Sequence, residues 1–515
     1  MADLAAAGDE AAACRARLDR NLDDLDALRE LGFALLRQGR GAEAVAMLAD
    51  VAARHPSGEV LNDLGGVLRA VGLHEEAQRR FNEALAVQPD LAVALCNAGS
   101  LLLEQNRAVE ALPVLRRALD LQPALTEARH ALCAALLTCG NHALGCDELD
   151  AAEAFYREAI GERPDFAEAL NNLGNTLVAH DRLEEAVAAY RTALALRPDS
   201  AETAFSLSLA LLAQGPAVAG AMAEGWRLFE ARRRMADLAC NFDRRPALPK
   251  WQPDTLLEGR HVLLMSEQGR GDVLQYLRYA PLLAEAGVDV VLELPDELCP
   301  LGDALPGVRR VVGLDDPAPE CDLGLPLLSL PLIFGTTPQS IPARVPYLAA
   351  PPARLARWQA WLGPAAGRRI GLVCSGNKQH PHDYRRGIAL ERLAPLLAVP
   401  DTTFVLLQPD LREGDLVAAA AMPWLRRPTL GDFGDTAALM MQMDLVVSID
   451  TSAAHLAGAL GLPVWLLLPY SSDYRWNLSA SDSPWYPTMR LYRQSRPGGW
   501  DDVIETVRRD LGRRT

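Results

Sequence analysis

The sequence lacks several features that would direct a protein to a membrane, to the outside of the cell or onto nucleic acid. Its 51 lysine and arginine residues face 67 aspartate and glutamate residues, giving a formal net charge of −16. So acidic a surface repels phosphate backbones and anionic lipid. The longest apolar runs, such as residues 463–469, have the length of a strand and are too short to span a bilayer. Residues 1–20 have neither the basic segment nor the apolar core of a signal peptide. We expect a cytoplasmic protein without nucleic-acid or membrane partners.

Disulfide and zinc patterns are also missing. The nine cysteines are odd in number and include no CxxC pair, which predicts a reducing compartment. Cys133, Cys139, His142 and Cys146 have the composition of a zinc site, but their spacing fits no common zinc pattern. We interpret them as small residues that fill helix contacts, and we predict no metal site.

A repeat is the clearest feature of the N-terminal half. Prolines recur at intervals of 33, 34, 41 and 34 residues, and small and apolar residues repeat between them. A period near 34 is typical of tetratricopeptide repeats (TPR), which are pairs of antiparallel helices. Residues 1–235 are therefore predicted to form an α-helical solenoid of about six units, with a longer turn at residues 141–148. Trp226 and Phe229 are expected to cap its last unit.

A solenoid of this kind binds peptide or protein on its concave face. Asparagines on the first helices of the repeats can hold an extended peptide backbone through their side-chain amides. For any single asparagine, an ordinary solvated position is an equally good interpretation, whereas the row as a whole favours peptide binding. The row consists of Asn62, Asn97, Asn171, Asn172 and Asn175.

The C-terminal half has a different pattern. After residue 235 the repeat ends, and residues 236–258 are predicted to be a linker. Apolar runs then alternate with helix-length segments, which indicates parallel strands buried on both faces. The predicted fold class is thus an α-helical solenoid followed by α/β structure. Two facing Rossmann-like domains, at 259–350 and 367–515, are joined by a connector at 351–366. Ligands of such sheets bind at the carboxyl ends of the strands.

The first motif at such a strand end is SEQGRGD, residues 266–272. Its glycines allow a tight turn and a close backbone approach, but the third glycine of the dinucleotide fingerprint is missing, which disfavours NAD. Asp272 has two interpretations. It is either a cap at the start of the following helix or a carboxylate base facing the ligand.

The second motif is a basic loop after the first strand of the last domain. It contains Ser375, Gly376, Asn377 and Lys378, and Arg386 follows shortly after. Small residues leave backbone N–H groups accessible, and basic side chains nearby add positive charge, so the loop suits a phosphate. A solvated basic loop is the alternative.

The third motif, DTSAAHLAGALG, runs from a strand directly into a helix of small residues. Asp450, Thr451 and Ser452 stand at the helix start, where free N–H groups and the helix dipole favour a diphosphate. His455 in the first turn would donate a hydrogen bond to that anion. A lone histidine is more often structural, but this one follows two hydroxyl residues at a helix start, which favours a functional role.

These motifs resemble segments of known glycosyltransferases. The run DLVVSIDTSAAHLAGALGLPVWLLLP resembles the donor-binding segment of bacterial heptosyltransferases, which are glycosyltransferases of the GT-B fold. Further stretches, among them SEQGRGDVLQYLRYAPLL, LLSLPLIFGTT and SDSPWYPTMRLYRQ, are similar to bacterial TPR-linked protein glycosyltransferases, which include enzymes that modify flagellin. The resemblance covers almost the whole chain.

The resemblance implies roles for individual residues. Asp272 matches the general base, and the segment from Asp450 to His455 matches the part that holds the donor diphosphate. Gln408 and residues 432–436 are expected near the nucleotide base, and the C-terminal helix is expected to pack back across the cleft. The chain departs from its relatives at Pro381, where a basic residue is common; Lys378 or Arg386 would then supply the charge.

The sequence thus predicts a metal-independent protein O-glycosyltransferase without a cofactor. Its solenoid captures a protein acceptor, and its α/β half transfers a sugar from a nucleotide-sugar co-substrate to Ser or Thr. The alternative is a non-catalytic TPR adaptor whose α/β half has degenerated. The short first Rossmann-like domain and Pro381 favour the adaptor, whereas the complete DTSAAH run and Asp272 favour the enzyme. The sequence does not specify the donor sugar, the acceptor or the oligomeric state.

Overall fold

The structure is a computed structural model that describes residues 2–364, 367–377, 383–476 and 481–513. Contacts divide the chain into two compact units, Met1–Leu177 and Val178–Thr515. The first is built from helices alone, and the second combines helices with two parallel sheets. The division falls before the predicted boundary at residue 235, because the later helices of the repeat region pack with the α/β part.

The first unit consists of helices that pack in successive pairs. Polar caps begin several of them: Asp24 accepts a hydrogen bond from the N–H of Ala27, and Ser57 accepts one from the N–H of Val60. Such caps satisfy backbone donors that have no partner within the helix. The helices are α1 (Ala2–Leu18), α2 (Leu25–Arg37), α3 (Gly41–Arg54), α4 (Gly58–Ala70), α5 (His74–Val87), α6 (Ala92–Glu104), α7 (Ala108–Leu121), α8 (Thr126–Gly145), α9 (Leu149–Glu162) and α10 (Ala167–Ala179).

Glycine allows the two helices of a pair to cross closely. A Cβ atom on Gly65 would lie 2.6 Å from the ring of Phe81, and one on Gly140 would lie 2.6 Å from the ring of Tyr156. Contacts this short are steric clashes, so the large side chain of the second helix fits only against a glycine on the first. The small residues that repeat in the sequence thus lie where the two helices of a pair cross.

The one long repeat differs from the prediction. Its extra residues do not form a longer turn at 141–148; helix α8 continues to Gly145 and has 20 residues, against 13 in α4 and α6. Gly140 is the fifteenth residue of α8, whereas Gly65 is the eighth of α4. The insertion is therefore two additional helical turns ahead of the crossing point, because the segment contains residues such as Ala128 and Leu132 that a helix can bury.

The second unit begins with helices that join its core. They are α11 (Leu183–Leu196), α12 (Ala201–Gln214), α13 (Ala221–Phe229) and α14 (Ala236–Asp243), with 3₁₀ turns at Gly215–Ala217 and Glu230–Arg234. Trp226 and Phe229 are buried, and the ring of Trp226 meets those of Tyr276 and Tyr474. The segment predicted as a linker contains α14 and the buried Trp251, so it is packed structure rather than a free tether.

Two parallel sheets follow, as the apolar runs predict. The first has the order β3–β2–β1–β4 and the second the order β6–β5–β7–β8–β9. Almost every position of the central strands is buried, as expected for strands covered on both faces. The strands are β1 (His261–Met265), β2 (Asp289–Leu294), β3 (Val308–Gly313), β4 (Leu323–Pro326), β5 (Arg368–Val373), β6 (Thr402–Leu406), β7 (Leu445–Ile449), β8 (Val464–Leu468) and β9 (Met489–Arg493).

Helices cover the sheets and connect their strands. One apolar cluster contains residues from α12, α13, the first sheet and one face of the second sheet, so both sheets share a core. The helices are α15 (Arg270–Tyr276), α16 (Ala280–Glu285), α17 (Cys299–Gly302), α18 (Leu330–Ile333), α19 (Pro352–Leu362), α20 (Asp383–Arg386), α21 (Ala394–Leu397), α22 (Glu413–Ala420), α23 (Phe433–Met440), α24 (Ser452–Ala459) and α25 (Trp500–Gly512).

The C-terminal helix α25 does not pack across to the first sheet as the resemblance implies. Its apolar residues, including Trp500, Val503 and Val507, lie in a second cluster built from the other face of the second sheet. Its neighbours are α21 and β9. The apolar stripe of α25 is buried there, which leaves its polar face outward.

Candidate functional site

Two strand ends come together in the second unit. We call residues 266–272, after β1, the β1 corner, and residues 450–452, after β7, the β7 corner. Helices α15 and α24, which begin at these corners, pack against each other. A Cβ atom on Gly271 would lie 2.9 Å from Cδ2 of His455 and 3.6 Å from Cα of Ser452. The glycine is thus required for the first turns of the two helices to approach this closely.

A buried ion pair anchors the β1 corner. Arg232 is fully buried and donates two hydrogen bonds to the carboxylate of Glu267, at 2.9 and 2.8 Å. Glu267 also accepts the backbone N–H of Leu328 at 3.1 Å. Because a buried charge is tolerated only when it is paired and hydrogen bonded, this network fixes the corner to the 3₁₀ turn Glu230–Arg234. The sequence motif contained Glu267, but nothing in it pointed to Arg232.

Asp272 is not the N-cap residue of α15, which is Gly269, but its side chain bonds back to that residue and is also paired with an arginine. One carboxylate oxygen accepts the N–H of Gly269 at 2.9 Å, which closes the start of α15. The other accepts a hydrogen bond from Arg475. Burial raises the pKa of Asp272, and the nearby Arg475 opposes that rise. Both oxygens of the predicted base therefore have partners.

Arg475 is the main residue that sequence reasoning missed. It lies after β8 in the 3₁₀ turn Tyr474–Trp476, is 8% exposed, and also donates to Gln275 and to Asp473, the latter at 2.8 Å. One arginine thus joins the loop after β8 to two residues of α15. A single arginine in an irregular loop carries no spacing signal, so only the tertiary structure identifies it.

The polar side chains of the β7 corner have fewer hydrogen-bond partners than those of the β1 corner. Thr451 precedes α24 in extended conformation, and its side chain does not cap the helix. Its Oγ1 is buried and has no hydrogen-bond partner among the residues that the structure describes. Burial raises the pKa of Asp450 to about 6, and the charge of Asp473 adds to this effect. A buried hydroxyl without a partner costs free energy, which a ligand at this helix start would recover.

Two side-chain amides near Asp272 resemble the hydroxyl of Thr451 in having a buried polar atom without a hydrogen-bond partner. The Nε2 atoms of Gln268 and Gln275 are buried and lack partners within the described part of the chain. Gln268 is also one of the few non-glycine residues with positive φ, at 59°. Buried polar groups in proteins are normally hydrogen bonded. Together with Thr451, these amides are groups to which a hydroxyl-rich or phosphate-bearing ligand can bind.

His455 does not have the predicted form. It is 4% exposed, its Nδ1 is 2.9 Å from the hydroxyl of Tyr486, and its ring packs on Trp476. Burial lowers the pKa of His455 well below its ordinary value, and the charges of Arg475 and Arg278 lower it further. The ring of His455 is therefore neutral and is not the charged donor that a diphosphate would favour. It supports the start of α24 through its contacts with Tyr486 and Trp476.

The loop after β5 is held by Gln408. Its Oε1 accepts the N–H groups of Cys374 and Ser375 at 2.7 and 3.2 Å, and its Nε2 donates to the hydroxyl of Ser375 at 2.6 Å. The carbonyl of Asp410 takes the remaining amide hydrogen. All hydrogen-bonding groups of the Gln408 amide are therefore used within the chain, and Gln408 braces the loop. It has no free group for the nucleotide base, near which the sequence analysis expected it.

Arg386 connects this loop to the β7 corner. It donates to the backbone carbonyl of Asp450 at 3.0 Å and to Asp383 at 3.2 Å. A Cβ atom on Gly376 would lie 2.8 Å from the Arg386 guanidinium, so glycine is needed for this approach. Asn377 is exposed, and Lys378 and Pro381 lie outside the described residues.

Residues 432–436 contact the connector helix. Asp432 caps α23 through the N–H of Asp435 and pairs with Arg354 of α19, which lowers its pKa. Thr436 donates to the carbonyl of Asp432 at 3.1 Å. This turn therefore ties α23 to the connector helix.

The asparagines of the first unit form pairs between repeats. Asn97 donates to Asn62 at 2.8 Å, and Asn172 donates to Asn141, which the sequence analysis did not include, also at 2.8 Å. Asn171 donates to Asn172, while its own Oδ1 is buried without a partner in the described residues. Asn175 lies one turn further along α10. A cavity of about 560 Å³ lies beside Asn62 and Asn97.

No metal site accompanies these groups in the described part of the chain, since no cluster of three or more potential ligands occurs there. The eight cysteines described are free; Cys133 and Cys139 are buried in α8, while Cys146 is exposed. Within the same residues, no helix combines the length and the apolar character needed to cross a membrane.

The architecture is thus that of a TPR-containing chain with a C-terminal region of parallel sheets. Residues 56–124 match the tetratricopeptide repeat family, and residues 174–215 match a second family described as TPR repeat. Protein FlbA of Caulobacter vibrioides is 28% identical over an alignment 497 residues long, which covers 90% of this chain and 79% of FlbA.

Two solved structures are similar to about a third of the chain each. YrrB, described as a TPR protein with an unusual peptide-binding site, is 22% identical, with a TM-score of 0.31 over 38% of this chain and 96% of YrrB. MamA from Desulfovibrio magneticus RS-1 is 23% identical, with a TM-score of 0.29 over 35% of this chain and 97% of MamA.

Proposed function

We propose that this chain is a protein O-glycosyltransferase whose α/β half has the GT-B fold. The observation that carries the proposal is the group of buried, unpartnered polar atoms at the two corners: Thr451 Oγ1, Gln268 Nε2 and Gln275 Nε2. Thr451 precedes α24 after a strand of one parallel sheet, and Gln268 follows β1 of the other; ligands of α/β proteins bind at such strand ends. Gln275 belongs to α15, which packs against α24. A nucleotide sugar brings both phosphate oxygens and sugar hydroxyls to such groups.

The donor side of the proposal rests on the β7 corner and its neighbours. The first turn of α24 offers N–H groups and the positive end of a helix dipole, and Thr451 adds a hydroxyl. Arg386 already reaches the backbone of Asp450. As the bond from the anomeric carbon to the phosphate oxygen breaks, the departing nucleotide keeps the electron pair, and these groups stabilise its charge.

The acceptor side rests on Asp272. The hydroxyl of a Ser or Thr is a weak nucleophile, and a carboxylate that takes its proton favours attack on the anomeric carbon. Burial raises the pKa of Asp272, which makes its carboxylate a better proton acceptor. The acceptor protein would bind along the helical repeats, where paired asparagines and the cavity beside Asn62 supply polar contacts for a peptide. Flagellin is the acceptor that we propose to examine first.

A melting-temperature screen with UDP-, CMP- and ADP-linked sugars tests donor binding. A ligand at a hundredfold excess over its Kd stabilises the folded state by about 2.7 kcal/mol. Intact masses of flagellar and secreted proteins from cells with and without the gene then test transfer. Absence of both a thermal shift and a mass difference would contradict the proposal. The location that it requires is the cytoplasm, where nucleotide sugars and free cysteines both occur.

The second candidate is a TPR adaptor without catalysis. The observation that favours it is that both oxygens of Asp272 are occupied, by Arg475 and by the N–H of Gly269. A nucleotide sugar that raises the melting temperature, together with unchanged protein masses, would favour an adaptor that senses the donor. Transfer that depends on Asp272 would exclude the adaptor.

A further inference from the structure

Two neighbouring cavities at the end of the helical repeats have an excess of positive charge. The first has a volume of about 570 Å³ and lies between α13 and the segment around Lys250. The second, of about 450 Å³, lies at the loop that begins with Arg197. Arg234 lines the first cavity and donates to the backbone carbonyl of Asp199, which lines the second. The two cavities are therefore adjacent.

The charges of the two cavities do not cancel. Five basic side chains line them, against three acidic ones. This is the reverse of the whole sequence, in which 67 acidic residues exceed 51 basic ones. Two of the three acidic members are also occupied: Glu230 pairs with the buried Arg232 and with Arg233, and Asp243 pairs with Lys250.

Three arginines remain without a carboxylate partner. Within the described residues, Arg197, Arg227 and Arg234 form no ion pair, although most other arginines of the repeat region pair with a carboxylate. Arg227 bonds only a carbonyl of its own helix, that of Ala223, at 3.3 Å. Guanidinium groups bind carboxylates and phosphates strongly. Unpaired arginines that line adjoining cavities therefore mark a site for an anion.

We propose that these two cavities bind an acidic stretch of polypeptide. Their adjacency favours an extended ligand with several charges over a single small ion. The buried Phe242 and the half-buried Leu228 in the first cavity provide apolar surface for the stems of Glu side chains or for interspersed apolar residues. The assignment of this peptide to the acceptor rests on the proposed function, whereas the binding itself does not.

The first test measures binding of fluorescein-labelled hexaglutamate to the full chain by anisotropy at low and high salt. We expect saturable binding that weakens with salt, and little binding of the matching glutamine peptide. Arg227→Gln combined with Arg234→Gln should weaken binding by about tenfold or more, since each removes a charge-assisted hydrogen bond. The matched control is Arg344→Gln with Arg496→Gln, two exposed arginines outside both cavities, and it should leave the affinity unchanged.

A second readout locates the peptide. The sequence contains only two lysines, Lys250 and Lys378, and Lys250 lines the first cavity. Hexaglutamate should slow acetylation of Lys250 and leave that of Lys378 unchanged, as mass spectrometry would show. Equal protection of both lysines, equal loss of affinity in the control variant, or equally strong competition by inorganic phosphate would each overturn the proposal.

The outcomes separate this proposal from the glycosyltransferase proposal. The peptide measurements need no sugar donor. If the Arg227 and Arg234 variant keeps its melting temperature and its hexaglutamate affinity, the inference fails, whether or not sugar transfer occurs. If peptide binding follows the expected pattern and no donor is bound or transferred, the enzymatic proposal fails and this site stands.

Discussion

The β1 corner and the β7 corner each follow the carboxyl end of an inner strand of a parallel sheet, yet their side chains are in opposite states. At the β1 corner, Asp272 accepts the N–H of Gly269 at the start of its helix and pairs with Arg475. At the β7 corner, Thr451 neither caps its helix nor finds another partner in the described residues. One corner is thus stabilised by interactions within the chain, whereas the other retains bonding capacity for a ligand.

Because of this difference, we expect the β1 corner to contribute to stability and the β7 corner to contribute to ligand binding. A carboxylate held by an arginine is fixed in position, and a change in either partner affects stability as well as chemistry. A buried hydroxyl without a partner contributes nothing to folding and costs little to remove. Substitutions at the two corners should therefore separate stability from ligand binding.

The largest expected effect is on sugar transfer at the β1 corner. Asp272→Asn should reduce transfer by about 10²–10⁴-fold, because an amide does not accept the acceptor proton. Asparagine keeps an oxygen that can accept the N–H of Gly269, so the start of α15 should persist, whereas loss of the charge beside Arg475 should lower the stability. The measurement is the mass of the modified protein in cells that produce the variant. Asp473→Asn is the control, since it removes the other carboxylate on Arg475; equal losses in both variants would assign the effect to charge around Arg475.

The next effect concerns stability at the same corner. Arg475→Met leaves Asp272 and Asp473 without their shared partner, and should lower the free energy of unfolding by about 3–5 kcal/mol in urea titrations. Arg490→Met is the comparison, because Arg490 is half-exposed and pairs with Asp510 at 2.8 Å on the surface. It should cost about 1 kcal/mol or less. If the two variants lose the same stability, the β1 corner is not the tightly paired one.

A smaller effect is expected at the β7 corner, and on binding alone. Thr451→Val keeps the shape of the side chain and removes a hydroxyl that has no partner, so the melting temperature should stay the same or rise. Affinity for a nucleotide sugar should fall about tenfold, because a hydrogen bond to a charged group is lost. Thr488→Val is matched to it: Thr488 has a buried, unpartnered hydroxyl as well, but precedes β9 at the opposite edge of the sheet. A similar loss of affinity in both variants would contradict a donor site at Thr451.

The smallest effect is a pH dependence at the β7 corner. In the folded protein the pKa of Asp450 is raised from 3.8 to about 6, so between these values the folded state holds a proton that the unfolded state releases. Asp450 therefore favours folding as pH falls through this window, by at most about 1.4 kcal/mol per pH unit. Asp450→Asn should be more stable than the parent at pH 7.5, and this advantage should shrink towards pH 4. The exposed Asp502 provides the control. If the difference in stability between Asp502→Asn and the parent changes with pH in the same way, the pH dependence does not come from Asp450.

Regular elements were predictable because their signals are local. The repeat of prolines and small residues predicts the helix pairs, and nine apolar runs predict nine parallel strands. The predictions were wrong where one stretch of sequence is compatible with more than one local structure. Seven extra residues can lengthen a turn or a helix, and α8 shows the latter.

The candidate site was predicted less completely. Asp272 and Thr451 lie at the two corners and Arg386 donates to the backbone of Asp450, but Gln408 is a brace and His455 a buried neutral ring. The same residue type serves either role, and burial and partners decide between them. Arg475 and Arg232 reach their partners from loops distant in sequence, so no spacing rule predicts them.

The sequence by itself determined the two architectures and the strand ends at which polar residues gather, since the helical period and the succession of strands and helices along the chain follow from local burial. The tertiary structure alone decided which of these polar groups are satisfied. A hydrogen bond or ion pair depends on distances of a few ångströms between segments far apart in the chain. Those distances exist only once the sheets and helices have packed, which is why Asp272 is paired and Thr451 is not.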